Sequence, residues 1–209
     1  MKQLQAVLAA ALLLAAGAAQ AQSETERLFQ AIAEDKEPVA AILVLGGKVD
    51  VQARSGARET PLHRAAEKGM RALTRLLLDA GASVRSRTET GETALHLAAL
   101  PEDPTCAALL LDAGADPRAQ NDGGETALHW AALSGNAATV GLLLQRGADA
   151  DMADLRGNSA LHGAADAGHV ETVRLLLRRV RSPGARNLAG KTALDLARER
   201  GHEDVAKLF

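Results

Sequence analysis

Thr60-Pro61-Leu62-His63 begins the pattern that determines the fold, because it returns three times at intervals of 33 residues. The copies are Thr93-Ala94-Leu95-His96, Thr126-Ala127-Leu128-His129 and Ser159-Ala160-Leu161-His162. A fifth copy, Thr192-Ala193-Leu194-Asp195, keeps the interval. A period of this length indicates that one supersecondary unit is stacked on its neighbours, because a single unit of that size cannot bury its own apolar face.

Glycines repeat in the same register and mark where each unit turns. One set follows runs of leucine, where a helix that ends in a left-handed residue favours glycine. A second set stands two residues before each Thr or Ser, where a tight turn needs positive φ and the Thr or Ser can then cap a helix. The first set is Gly81, Gly114 and Gly147, and the second is Gly91, Gly124, Gly157 and Gly190.

With these motifs the chain resembles the ankyrin repeat family, whose unit is a β-turn followed by two antiparallel helices and whose signature is T-P-L-H-x-A. The resemblance covers roughly Glu24 to Phe209. It implies an all-α repeat solenoid of helix-turn-helix units with hairpin-like fingers. One period before Thr60 lies Arg27, so that Leu28-Phe29-Gln30-Ala31-Ile32 would occupy the signature slots of a degenerate capping repeat. The expected units are residues 22–57, 58–90, 91–123, 124–156, 157–189 and a partial C-terminal cap at 190–209.

The N-terminal residues differ in character from the repeats. Met1-Lys2, an apolar stretch from Val7 to Ala16 and small residues around Ala19-Gln20-Ala21 predict a secretory signal peptide at residues 1–21. An uncleaved anchor on an envelope-associated structural protein is the alternative, although a transmembrane helix needs ~20 apolar residues. The bias toward Ala, Leu, Arg and Gly is typical of a GC-rich bacterial genome, so we expect a periplasmic protein.

Charge is uneven along the chain and disfavours one class of partner. Gln22 to Val170 holds 14 Lys and Arg against 21 Asp and Glu, whereas Glu171 to Phe209 holds nine against five. Nucleic acid requires a basic surface, so we expect no nucleic-acid partner. The C-terminal arginines suit a solvated helix face better than contact with anionic lipid. They are Arg174, Arg178, Arg179 and Arg181.

The histidines do not predict a metal site. Those of the repeated tetrapeptide occupy the same slot in successive units, so neighbours should lie ~8–10 Å apart, whereas two zinc ligands each lie ~2 Å from one ion. In the ankyrin family this histidine helps to hydrogen-bond adjacent turns, and the resemblance implies that role here. The resemblance also assigns His169 and His202 to the inter-helix Gly-His turn.

Cys106 is the only cysteine, so an intramolecular disulfide is excluded. It lies in an apolar run that predicts a buried helix position, where a thiol behaves as a small hydrophobe. A nucleophilic role stays open only if Cys106 is exposed and has a low pKa. We therefore predict no enzyme activity, no catalytic residue, no metal, no cofactor and no small-molecule substrate.

Positions that the repeat leaves free carry the functional prediction. In the ankyrin family the turn tips and the exposed side of the first helices line a concave groove that grips protein partners. For this chain the resemblance implies a monomeric binding scaffold with a protein partner, such as a stress-defence enzyme or a toxin to be neutralised. The predicted partner-binding residues are Arg64, Glu89, Glu92, Leu97, Leu100, Pro101, Asp122, Glu125, Trp130, Leu133, Leu155 and Arg156.

Trp130 is the centre of this predicted surface. It is the only tryptophan, and tryptophan is enriched among the residues that dominate interface energies. Leu97, Leu100 and Leu133 should share its face, although Leu97 and Leu133 suit packing between layers equally well. The acidic central tips suit a basic or amphipathic partner.

Three departures from the repeat predict local differences. The loop from Leu100 to Pro104 contains two prolines where other units have a Gly-His or Gly-Asn turn, so it should be stiffer, as a specificity element or a neutral variation. Val180 stands where other helices end in glycine, so the backbone there should differ and the last unit should fray first. Arg58 replaces a turn glycine and predicts an irregular first turn.

Overall fold

The structure, a computed structural model, describes residues 23–209. The predicted signal peptide and its cleavage position lie outside these residues. The described chain forms six pairs of α-helices, and none of these helices is long and apolar enough to cross a membrane. The helices are α1 (23–33), α2 (Glu37–Leu45), α3 (Pro61–Glu67), α4 (Arg71–Asp79), α5 (Ala94–Leu97), α6 (Thr105–Asp112), α7 (Ala127–Leu133), α8 (Ala137–Gln145), α9 (Ala160–Asp166), α10 (Val170–Leu177), α11 (Ala193–Glu199) and α12 (Glu203–Ala206).

Successive pairs stack, so that helices of the same kind become neighbours. From α3 onward, each odd-numbered helix packs on the next odd-numbered one, and the even-numbered helices form a second row behind them. Fully buried leucines and alanines run through both rows as one continuous core. We call the surface formed by the odd-numbered helices and the connecting fingers the inner face, and that of the even-numbered helices the outer face.

Each repeated Thr or Ser caps an odd-numbered helix, as predicted. The N-cap residue is extended, with φ between about −85° and −104°, and the third helical residue closes a capping box with it. In four repeats this third residue is the signature histidine, and in the last it is Asp195. Local capping therefore fixes where every odd-numbered helix from α3 onward begins.

Five fingers connect the helix pairs and hydrogen-bond directly to one another. Their tips form a ladder in which the backbone N–H of Glu89 donates to the carbonyl of Ala57 at 3.0 Å, and the next tips repeat the bond at 2.9–3.1 Å. A Cβ on Gly124 would lie 2.9 Å from the backbone nitrogen of Leu155, so this glycine is needed for close stacking as well as for its φ of 76°. The fingers are residues 48–59, 82–92, 115–125, 148–158 and 181–191 and are numbered 1 to 5.

The first repeat is offset by one residue from the predicted register. α2 begins 34 residues before α4, and Asp35, with φ of 57°, lies 34 residues before Gly69, with φ of 65°. Leu28 thus matches Leu62, and both are completely buried. The alignment of Arg27 with Thr60 was wrong because finger 1 contains one extra residue.

Arg58 does not make the first turn irregular, and that prediction was wrong. Its φ is 59°, the left-handed conformation that glycine adopts in the other turns. The N–H of Ser55 donates to the carbonyl of Glu59 at 2.8 Å, matching the bond from Thr88 to Glu92 in finger 2. The first turn therefore keeps the shape of its neighbours, with a non-glycine residue in a strained conformation.

Val180 does change the backbone after α10, as predicted. It has no positive φ, unlike Gly81, Gly114 and Gly147. The next N–H, that of Arg181, donates to the Asp151 carboxylate at 3.0 Å instead of to a carbonyl of its own helix. Finger 5 is therefore attached to the preceding repeat through a side chain.

Candidate protein-binding surface

The signature histidines bond adjacent repeats together. The Nδ1 of His96 accepts a hydrogen bond from the backbone N–H of Thr93 at 3.1 Å, so the neutral ring carries its proton on Nε2. Nε2 then donates to the carbonyl of Glu125 in the next finger at 3.0 Å. His63 and His129 make the same bond at 3.2 and 3.1 Å. Burial lowers the pKa of all four signature histidines.

The described residues contain no cluster suited to a metal ion, and their cysteine lies in the core. Residues 23–209 contain no group of three or more His, Cys, Asp or Glu side chains that could hold a metal ion. Cys106 is buried, and burial raises the pKa of its thiol. Its Sγ lies 3.6 Å from Thr74 Oγ1 in the core. This environment fits the predicted packing role and removes the condition for a reactive thiol.

Trp130 lies on the inner face, where its side chain contacts two other residues of the same chain. Its Nε1 donates to Oε2 of Glu125 at 3.0 Å. Its ring meets the imidazole of His96 edge-on, with centroids 5.7 Å apart and planes at 75°. The side chain is partly buried against the core. Trp130 therefore stabilises the stack of two repeats and presents only its remaining surface to a partner.

The aliphatic residues around Trp130 divide into buried and exposed. Leu97 is only 8% exposed, so the prediction that it contributes to an exposed patch was wrong and its packing role holds. Leu100 and Leu133 are 40% and 56% exposed on the inner face. The exposed patch is therefore smaller than the sequence suggested, and Leu133 is its most accessible member.

Three of the predicted charged residues already have partners within the protein. Arg64 lies 2.8 Å from Glu59 and 3.4 Å from Glu67. Partial burial opposes the ionisation of Glu92, but the hydroxyls of Thr88 and Thr90 donate to its carboxylate and leave its pKa below the ordinary value. Glu125 accepts from both Trp130 and Asn121. Because these side chains already have partners, they contribute less to the binding of another protein than unpaired charges would.

The finger tips are the most accessible part of the predicted surface. Glu89, Asp122 and Arg156 are exposed, as is Leu155, whose side chain is 70% exposed. The equivalent residue of finger 5, Leu188, was not predicted and is 81% exposed. The row of tips therefore changes from acidic in fingers 2 and 3 to aliphatic in fingers 4 and 5.

Two of the cavities formed by residues 23–209 open on the inner face. The larger, of about 890 Å³, lies against α1, finger 1 and α3, with Phe29, Ala33 and Ala53 beside Arg64 and Lys68. The smaller, of about 290 Å³, lies between α7, α9 and α11 under fingers 3 to 5. Of the predicted residues, Arg64 lines the first, and Glu125, Leu133 and Arg156 line the second.

Four overlapping stretches of the chain, residues 28–121, 62–154, 102–188 and 128–209, match the family model described as Ankyrin repeats (3 copies). The chain belongs to the ankyrin repeat family. Ankyrin repeats generally mediate protein–protein interaction, and the match together with the paired helices confirms the predicted all-α solenoid. No curated protein matches the chain.

The proline loop of the third ankyrin repeat is remodelled, as predicted. α5 has four residues where α3, α7, α9 and α11 have seven. The side-chain Nδ2 of Asn136 lies 2.8 Å from the carbonyls of Ala99 and Leu100 and 3.1 Å from that of Pro101. The loop is therefore fixed by the next ankyrin repeat, and Leu100 stands exposed at its start.

The C-terminal arginines are mostly solvated or paired. Arg181 lies 2.7 Å from Asp151, whose hydrogen bond raises the pKa of the guanidinium, and 3.7 Å from Asp149. Arg174 lies 3.6 Å from Glu171. Arg178 and Arg179 are exposed. These contacts favour the interpretation of the cluster as a solvated face.

The sequence did not indicate the cavity beside Phe29. The one-residue offset of the first ankyrin repeat placed Phe29 in the slot of the buried Leu62, whereas the structure places it in that of His63. The signal available in the sequence was the interval of 34 between the Leu-x-x-Ala-Ile of α1 and the Leu-x-x-Ala-Ala of α3. Phe29 is therefore a further candidate for partner contact.

Proposed function

We propose that the chain is a non-enzymatic periplasmic scaffold that binds a protein partner through its inner face. The exposed Leu133 carries this proposal, because it stands beside Trp130 and lines a cavity on the face formed by α7, α9 and α11. An exposed aliphatic side chain at a cavity loses water on binding and gains packing. The core does not require it, since more than half of it faces solvent.

The charge and the shape of the inner face favour a partner with basic and apolar side chains. Glu89 and Asp122 present carboxylates at the central tips, and Leu155 and Leu188 present aliphatic surface beyond them. Complementary charge speeds the encounter and aligns the partner, whereas apolar contacts and well-packed anchors supply most of the affinity. An amphipathic basic segment of a protein meets both requirements.

The test compares an inner-face variant with a matched variant elsewhere. Leu133→Glu changes the inner face, and Ile42→Glu changes a residue of α2 that is 69% exposed on the outer face. Proteins captured from the periplasm of the source organism by the unaltered chain are identified, and the best candidate is purified. We expect Leu133→Glu to weaken its binding at least about tenfold and Ile42→Glu to leave it unchanged. Equal affinity of both variants would place the interface elsewhere.

The location is tested by the mature N-terminus. Gln22 as the first residue of a soluble periplasmic form supports export and cleavage. An intact N-terminus in membranes supports instead an envelope-associated structural protein anchored by that segment. The identity of the partner then separates the two roles that fit an exported scaffold, which are support of a stress-defence enzyme and neutralisation of a toxin.

A further inference from the structure

Gly163 has a position on the inner face that other repeats fill with larger side chains. The residue after the signature histidine is Arg64, Leu97 or Trp130 in the preceding repeats, and Leu196 holds the same slot in the last. Gly163 lies inside α9. The missing side chain leaves the cavity of about 290 Å³ described above, and we call it the Gly163 notch.

The backbone does not require glycine at this position. Gly163 is not among the residues with positive φ. A Cβ added to it would meet only Leu133 Cβ at 3.9 Å, which is an ordinary van der Waals contact. Glycine is the least favourable residue in a helix interior apart from proline. Neither the backbone conformation nor close packing requires glycine at position 163. The open space beside it is therefore the feature from which we infer a role.

The notch combines aliphatic walls with a rim of carboxylates. Leu133 and Leu196 line its sides, and Glu125, Asp154 and Asp166 lie around it, with Arg156 as the one cation in the lining. Asp166 already binds a guanidinium group, because Arg200 Nε lies 2.8 Å from its Oδ1. The cavity volume of about 290 Å³ leaves room for one long side chain.

His162 is bonded to the backbone of the next finger, as the other signature histidines are. It lines the same notch and is 2% exposed. Its Nδ1 accepts from the backbone N–H of Ser159 at 3.1 Å, so its Nε2 carries the proton. Its Nε2 faces finger 5, where hydrogen bonds to the backbone of Lys191 and Ala185 oppose the lowering of its pKa by burial.

We propose that the Gly163 notch binds one long basic side chain, arginine or lysine, of the protein partner. The aliphatic stem of such a side chain packs between Leu133 and Leu196. Its cationic head adds a further donor to the carboxylates of the rim, which keep their present partners, as Asp166 keeps Arg200. This inference rests on the proposed function, because it names the chemistry of one contact within the same inner face. If the proposal is right, Gly163 in the fifth repeat contributes more than Trp130 to the choice of partner.

The test uses small probes that isolate the notch from the rest of the interface. The full chain is labelled with ¹⁵N and titrated with the methylamides of Nα-acetyl-arginine and Nα-acetyl-lysine. The methylamide of Nα-acetyl-citrulline is the matched control, because it keeps the shape of arginine without the charge. We expect saturable shifts of the Gly163 and Leu133 amide signals by a cationic probe with a Kd on the order of 1–10 mM. Binding of citrulline should be at least about tenfold weaker.

Variants separate occupancy of the notch from effects on folding. Gly163→Leu should abolish the shifts, whereas Asp166→Asn should weaken them about threefold or more. Gly163→Ala should raise Tm, because alanine favours the helix and its Cβ fits. Absence of localised shifts, equal binding of citrulline, or full binding by Gly163→Leu would each overturn the proposal. If these probes fail while Leu133→Glu still impairs partner binding, the proposed function stands and only the chemistry of the notch is wrong.

Discussion

The indole Nε1 of Trp130 and the carboxylate of Glu125 are joined by a hydrogen bond of 3.0 Å on the inner face. The same indole ring lies edge-on against His96 of the preceding repeat. The Trp130 side chain thus connects finger 3, which contains Glu125, with the preceding repeat. Because Trp130 stabilises the stack, its removal would affect both stability and any direct contact with a partner. Leu133 is therefore the better position at which to test binding.

Truncation of Trp130 should destabilise the protein. We expect Trp130→Ala to lower the free energy of unfolding by about 2 kcal/mol, because a partly buried aromatic contact and a hydrogen bond are both lost. Urea denaturation followed by far-UV circular dichroism measures the change. Leu133→Ala is the control and should stay within about 0.5 kcal/mol of the unaltered chain, because most of its surface faces solvent. Equal midpoints for both variants would show that Trp130 has no structural role.

Stability should fall as the solution becomes acidic, beginning near pH ~6.5, the ordinary histidine pKa. Burial lowers the pKa of the four signature histidines in the folded state, so below ~6.5 the unfolded chain binds more protons than the folded one. Their contribution is fully present above ~6.5 and is lost as the pH falls toward their folded pKa values. Urea midpoints at pH about 7.5 and about 5.5 measure it. His129→Gln should make the pH dependence shallower, and a higher midpoint at the lower pH would contradict this explanation.

Replacing Arg58 with glycine should stabilise the first turn. Arg58 has a φ of 59°, which is strained for any residue with a Cβ. Glycine relieves the strain in the folded state, and this gain exceeds the free-energy cost of the more flexible unfolded chain. We therefore expect the free energy of unfolding to rise by about 0.5 kcal/mol. Thermal unfolding of Arg58→Gly is compared with that of Arg85→Gly, an exposed residue of finger 2 without positive φ. Destabilisation by both substitutions would refute the strain argument.

The last repeat should open first. Val180 changes the backbone that leads into finger 5, and α12 has only four residues where α8 has nine. A shorter helix has fewer packing contacts and hydrogen bonds to lose, so its local opening costs less free energy. Native-state hydrogen exchange should therefore show faster exchange in α11 and α12 than in α7 and α8. Equal protection of the two pairs would mean that finger 5 is held as firmly as the central fingers.

The repeat itself made most of the fold predictable. The 33-residue interval, the Thr or Ser cap and the glycine positions each express a local requirement of the backbone, so they can be read without knowledge of distant contacts. The role of His96 was predicted from the resemblance, because in the ankyrin family this histidine hydrogen-bonds adjacent turns. The first repeat was misaligned because the single extra residue lies in finger 1, a segment without a repeated motif.

The surface was harder to predict, because a position on a helix face does not determine depth. Leu97 has the position that Trp130 has in the next repeat, and Leu133 lies one helical turn after Trp130. Both positions belong to the same helix face, yet Leu97 is buried and Leu133 is exposed. Arg58 shows the same difficulty for the backbone, since the neighbouring fingers held the turn in a shape that its own sequence disfavours.

Hydrogen exchange of the chain in complex with its purified partner tests the central claim most directly. We predict that binding slows exchange in α7 and α9 and at the tips of fingers 3 and 4, and leaves α2 and α8 unchanged. Protection confined to the even-numbered helices would contradict the proposal that the inner face binds the partner.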